Sequence, residues 1–172
     1  MNRAGRMLAA AALALLIAGC ATPREPAVPV TTFVLVRHAE KAADDPRDPG
    51  LSDAGKARAA RLAASFADAP LRAVYATAYR RTRDTAGPSA AAHGLQVAIH
   101  DARGPAADFA ARLRAAHRSG TVLVVGHSNT VPAIAAALCA CPVAPMREDE
   151  FDRRIEIRVG PSGPASLSER RY

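Results

Sequence analysis

Arg37 and His38 stand side by side where an apolar, β-branched run, Thr32 to Val36 (TFVLV), turns abruptly into the charged string Arg37-His38-Ala39-Glu40-Lys41. A second apolar run, Thr121 to Val125 (TVLVV), opens in the same way into Gly126-His127-Ser128-Asn129. These residue types suit phosphoryl transfer, which needs cations on the non-bridging oxygens, a nucleophile in line with the leaving oxygen and an acid to protonate that oxygen. Arginine's rigid fork binds phosphate bidentately and stays charged. Arg37 and His38 thus offer cation and nucleophile at one strand end, and His127 offers a second imidazole able to donate a hydrogen bond to the transferring group.

Both runs read as buried parallel strands that deliver polar groups to their carboxyl ends. Ser52 can cap a helix over Ala54 to Phe66. Leu71 to Tyr75 reads as a second strand, Arg80 to His93 as a helix interrupted at Gly87-Pro88, and Leu95 to Ile99 as a third strand. Asp108 to His117 and Val131 to Leu138 follow as helices on either side of the TVLVV strand, and Arg154 to Val159 alternates like a half-exposed edge strand. Strands alternating with helices argue a three-layer α/β/α sandwich with a mostly parallel sheet, in one domain. Ligands of such sheets lie outside the carboxyl ends of the strands, so the two histidine-bearing ends should be neighbours.

The succession of Arg37-His38, Leu51-Ser52-Asp53-Ala54-Gly55, Thr77 to Thr85 (TAYRRTRDT) and Val125-Gly126-His127-Ser128 resembles the histidine phosphatase superfamily, the phosphoglycerate mutase-like proteins, over residues 32 to 138. The resemblance implies that His38 is phosphorylated in an intermediate, that Arg37 and Arg81 clamp the phosphate, and that His127 completes a phosphate-binding pocket needing no cofactor. Arg80 and Arg83 flank Arg81, but the Arg-x-x-Asp-Thr spacing selects Arg81. The family's proton donor usually follows the third strand, where Asp101 is the first choice and Asp108 the next, with Glu40 a third option. The mutases carry a Gly after the first histidine and a Thr and Asn shortly beyond; Ala39-Glu40-Lys41 and a Pro-rich loop stand here, which argues against mutase activity. The large insertions that cover small sugar phosphates are also missing, so an open pocket for a bulky or surface-held substrate is expected.

Three rival chemistries fare worse. Gly126 to Thr130 imitates a nucleophile elbow around Ser128, but Thr130 replaces the final Gly and no histidine follows His127. Cys141 to Arg147 has the spacing of a cysteine phosphatase loop, yet Pro142 and Pro145 remove backbone N–H groups that such a loop needs. A metal held by His38 and His127 would be repelled by two arginines, so no metal is expected. The rival from another class is a non-catalytic envelope protein that binds a phosphorylated ligand in the same pocket. His93, His100 and His117 fit no role and are expected to face solvent.

Arg3 and Arg6, an apolar run from Met7 to Ala18 and the sequence Ile17-Ala18-Gly19-Cys20 form a leader too short to span a bilayer. The pattern resembles a bacterial lipoprotein signal, which implies a signal peptide over 1–20, lipidation of Cys20, an extended Pro-rich tether over 21–31 and a catalytic domain over 32–172. The expected location is the cell envelope, exported and lipid-anchored at the periplasmic face of the outer membrane. Without the leader, 21 basic residues face 16 acidic ones, a charge of +5. That balance suits phosphorylated small molecules, glycans or phosphoproteins as substrates and a lipid surface as a partner, although arginine's dominance over lysine equally fits a GC-rich coding bias. No aromatic residues interleave the basic ones, which gives nucleic-acid binding no support. Cys139 and Cys141 remain in an oxidising compartment, with Cys139 reading as a buried small hydrophobe and their pairing left open.

Overall fold

The computed structural model describes residues 29–172, so the expected signal peptide with Cys20 and most of the tether lie outside the described residues. The elements run β1 (Thr31–Arg37), α1 (Asp53–Ala64), β2 (Leu71–Ala76), α2 (Arg80–Ala92), β3 (Val97–Ile99), α3 (Ala106–Ala116), β4 (Gly120–Gly126), α4 (Thr130–Cys139), β5 (Arg153–Val159) and β6 (Ser166–Arg171). They form a six-stranded sheet in the order β3-β2-β4-β1-β5-β6. The first four strands in that order are mutually parallel, and β5 and β6 add on antiparallel.

Alternation along β1 divides the interior into two cores. Phe33 and Leu35 point to one face, with Val122 and Val124 of β4, Phe109 and Leu113 of α3, and Ile134 and Leu138 of α4. Val34 and Val36 point to the other, with Leu123 and Val125, Leu62 and Phe66 on the α1 side, and Ala86 and Ala90 of α2. Helices α1 and α2 pack together, as do α3 and α4, so the sheet is covered on both faces. Each parallel strand is followed at once by a polar residue: His38 after β1, Thr77 after β2, His100 after β3 and His127 after β4. The register sets Arg37 beside Gly126, which makes His38 and His127 neighbours.

Close approach fixes α1 against the loop after β1. Ser52 caps α1 by accepting from the Gly55 N–H at 3.2 Å, and its own N–H donates to the Glu40 carbonyl at 3.0 Å. A Cβ on Gly55 would lie 2.3 Å from that same carbonyl, so only glycine permits the contact.

Several elements differ from their sequence reading. Helix α2 runs through Gly87-Pro88 without interruption. Pro88 forfeits one backbone bond, but burial of Thr82, Thr85, Ala86, Ser89 and Ala90 outweighs the loss. Strand β5 is not an edge: β6 covers it, and β6 (SLSERR) carries no apolar alternation by which it could be found. Arg153 and Arg154 on β5 are buried because Glu169 and Glu156 neutralise them, with N···O distances of 2.7 and 2.6 Å. Nor do the remaining histidines simply face water. His100 is buried and stacked on Phe109 at 4.1 Å, His93 bonds the Ser89 and Phe66 carbonyls, and His117 bonds the Tyr75 hydroxyl. Cys139 and Cys141, whose pairing the sequence left open, form a disulfide at the end of α4.

Candidate active site

A cavity of about 350 Å³ opens at the carboxyl ends of β1 and β4. Arg37, His38, Arg81 and His127 all line it, together with Lys41, Tyr79, Arg103, Ser128 and Glu148. Their elements place them there: β1 delivers Arg37 and His38, the first turn of α2 delivers Arg81, and the turn between β4 and α4 delivers His127 and Ser128.

His38 is only 3 % exposed, so it forms the floor of the cavity. Its Nδ1 lies 2.8 Å from the Ala39 carbonyl oxygen. A carbonyl can only accept, so Nδ1 carries the proton and Nε2 presents a lone pair. Burial pushes the His38 pKa down to about 4, against the Ala39 bond, and Arg37 adds to the depression. The ring is therefore neutral and nucleophilic at physiological pH. The backbone around it is fixed: the His38 N–H donates to the Gly126 carbonyl at 2.9 Å, and the Ala39 N–H donates to Thr85 Oγ1 at 2.9 Å.

His127 lies edge-on to His38 with ring centroids 5.5 Å apart. Its Nε2 is 3.0 Å from Thr77 Oγ1, which in turn is 2.9 Å from Thr82 Oγ1. That hydroxyl pair orients the ring and leaves Nδ1 as its second site for exchange of a hydrogen bond. Burial, then Arg81, also lowers the His127 pKa to about 4. Thr130 Oγ1 accepts from the His127 N–H at 2.9 Å, and a Cβ on Gly126 would lie 2.8 Å from that oxygen, so glycine is required for the turn to close.

Two guanidinium groups flank the histidines. Arg37 is 2 % exposed and lies over the Phe151 ring at 4.4 Å. Burial lowers its pKa, and Glu148 works in the opposite direction. Arg81 lies over Tyr79 at 4.3 Å, and its nearest carboxylate oxygen, on Asp48, is 3.9 Å away. The Nε atoms of both arginines are buried without a hydrogen-bond partner among the described residues. Two cations beside a lone pair in one cavity make a site complementary to an oxyanion attached to an electrophile.

The carboxylates sort differently from the sequence reading. Asp101 does not line this cavity. It lines an adjacent one of about 550 Å³ with Asp48, Tyr79, Ile99 and His100, and its Oδ1 accepts from the Arg103 N–H at 2.9 Å. Asp108 is exposed in the first turn of α3 and lines neither cavity. Glu40 points to α1, where both its oxygens bond Arg58, the shorter contact being 2.6 Å, and that bond holds its pKa below the usual carboxylate range. Glu148, which no sequence motif singled out, is the carboxylate that lines the cavity with His38. It accepts from Arg37 at 2.7 Å through Oε2 and from the Ser128 hydroxyl through Oε1.

Residues 33–103 match the family model of the histidine phosphatase superfamily, branch 1. The span includes Arg37, His38, Arg81 and Asp101 and stops short of His127. No curated protein sequence matches the chain. Among solved structures, the protein histidine phosphatase SixA bound to tungstate is similar at TM-score 0.68 and 18 % identity, covering 81 % of this chain and 96 % of that one. A mycobacterial glucosyl-3-phosphoglycerate phosphatase is similar at TM-score 0.61 and 17 % identity, covering 84 % and 99 %. A mutant phosphoserine phosphatase from Entamoeba histolytica in complex with phosphoserine is similar at TM-score 0.61 and 13 % identity, covering 80 % and 95 %. The chain has the α/β fold of phosphoglycerate mutase-like histidine phosphatases, and its residues 33–103 carry the sequence pattern of that superfamily's branch 1.

Proposed function

We propose that the protein is a phosphatase that transfers a phosphoryl group from its substrate to Nε2 of His38 and then to water. The observation that carries this reading is the Ala39 carbonyl on His38 Nδ1, which commits Nε2 to a lone pair in a cavity bordered by Arg37 and Arg81. The two guanidiniums neutralise the non-bridging oxygens, and His127 donates a hydrogen bond to the same group in the transition state. Hydrolysis of the phosphohistidine restores the neutral ring. A lone pair aimed at a cationic cavity serves chemistry rather than mere ligand capture, and so favours an enzyme over a phospho-ligand-binding protein.

The fold does not choose the physiological substrate, because a protein histidine phosphatase, a glucosyl-3-phosphoglycerate phosphatase and a phosphoserine phosphatase share it. The adjacent cavity shares Tyr79, Ala102 and Arg103 with the phosphate site, which gives a bulky leaving group room to lie against the exposed faces of Tyr79 and Ile99. With a lipidated Cys20 and a Pro-rich tether, the substrate would be a phosphorylated molecule of the cell envelope.

Purified protein is expected to hydrolyse an aryl phosphate without added metal, and to yield acid-labile, base-stable phosphate on His38 after rapid quenching. His38→Ala should remove both signals. Phosphate binding with no turnover in wild type would establish the ligand-binding alternative instead.

A further inference from the structure

We infer that Glu148 is the proton donor to the leaving group, an inference that rests on the phosphatase reading above. Three observations place it. First, Glu148 is the carboxylate that shares the cavity with His38, Arg37, Arg81 and His127, whereas Asp101 and Asp48 line the adjacent cavity and Glu40 is held by Arg58. Second, His38 is buried at the floor while the Glu148 side chain is 80 % exposed at the mouth. An in-line displacement puts the leaving oxygen opposite the attacking Nε2, toward the mouth of the cavity. Third, the carboxylate spans two strand-end loops, bonding Arg37 beside the nucleophile and Ser128 beside His127.

The segment that carries it is anchored on both sides. Met146 is buried in the core, and Phe151 packs under the Arg37 guanidinium. The Arg147 and Glu148 carbonyls both accept from Arg37 Nη1.

Substrate binding lets Glu148 take a proton from solvent. Glu148 is held ionised by the Ser128 hydroxyl and by Arg37. A phosphoryl dianion bound to Arg37 takes up that cation and sets a second anion beside the carboxylate, and like charges in one site raise the affinity of one of them for a proton. In the first step a bond forms between Nε2 and phosphorus, the P–O bond to the leaving group breaks, and the proton on Glu148 passes to the departing oxygen. In the second, Glu148 takes a proton from the attacking water as a P–O bond forms and the P–N bond breaks, which regenerates both groups.

The test compares Glu148→Gln with wild type on phosphate esters of graded leaving groups, from 4-nitrophenyl phosphate to phenyl and alkyl phosphates. A good leaving group needs no acid, so kcat/KM for 4-nitrophenyl phosphate should fall less than about tenfold, while the poorest leaving groups should lose roughly 100-fold or more. Glu148→Asp should recover part of the selective loss. An equal loss on every ester would make Glu148 a positioning residue and overturn the inference. So would tighter phosphate inhibition with an unchanged leaving-group slope, the signature of a competing anion on Arg37, or a leaving-group-selective loss in Asp101→Asn in place of Glu148→Gln. Wild-type protein inert on every ester, with no phosphohistidine trapped, would remove the phosphatase reading and this inference with it.

Discussion

One carbonyl decides what His38 can do. With the Ala39 oxygen 2.8 Å from Nδ1, the proton stays on that nitrogen and the depressed pKa, about 4, keeps Nε2 unprotonated well below neutrality. The consequence is a specific pH profile. Once the substrate's own ionisation is allowed for, kcat/KM for 4-nitrophenyl phosphate, whose departure needs no acid, should stay level as pH falls through the usual histidine range and decline only as about pH 4 is approached. An acidic limb centred near 6.5 would show that the ring is solvated during turnover and that burial does not tune it. At this scale His38, Arg37 and Arg81 are legible as candidates because each sits beside an apolar strand or in a helix turn with fixed spacing. Glu148 was not, because it reaches the site from an irregular segment far along the chain and declares itself only through its contacts with Arg37 and Ser128.

The elements differ in how their stability is provided. Strands β1, β2 and β4 are apolar runs whose periodicity announces them, and α1 has Ser52 as its cap. The β5–β6 edge of the sheet adds ion pairs to the buried Ile155 and Ile157 of β5. Arg153 is 6 % exposed, pairs with Glu169 through two nitrogens at 3.1 and 2.7 Å, and donates to the Ala144 and Pro145 carbonyls. Hydrophobic patterning cannot reveal such a pairing, which is why β6 went unseen and β5 read as an edge. Those same carbonyls belong to the segment that presents Glu148. Arg153→Ala should therefore lower stability by roughly 1–2 kcal/mol, since the Ala144 and Pro145 carbonyls lose their donor while the freed Glu169 side chain is exposed to water. It should also reduce activity on poor leaving groups more than on 4-nitrophenyl phosphate. Chemical denaturation and the leaving-group series would check both, and an unchanged unfolding midpoint would contradict the structural half.

For the whole molecule, the candidate site is a stability cost that pH exposes. His38 and His127 both have folded-state pKa values lowered to about 4, against about 6.5 for an unfolded histidine. Between those values the unfolded chain binds more protons than the folded one, so stability is at its full level above about 6.5 and falls as pH drops toward 4. Glu40 and Glu148, lowered by Arg58 and by Ser128 with Arg37, extend the loss below the ordinary carboxylate range. The excess of 23 basic over 16 acidic residues adds self-repulsion as carboxylates protonate. The melting temperature should therefore decline from pH 7 to 4.5, and the double variant His38→Asn with His127→Asn should flatten that slope. Phosphate or tungstate should act in the opposite sense by binding the folded state only, raising stability by about 2.7 kcal/mol at a concentration 100 times its Kd. Arg81→Ala should blunt that gain, because it removes one of the two guanidinium groups that border the cavity. Equal slopes in wild type and double variant would mean that the histidines are not the proton-linked groups, and the acid sensitivity would then belong to the ion pairs of β5 and β6.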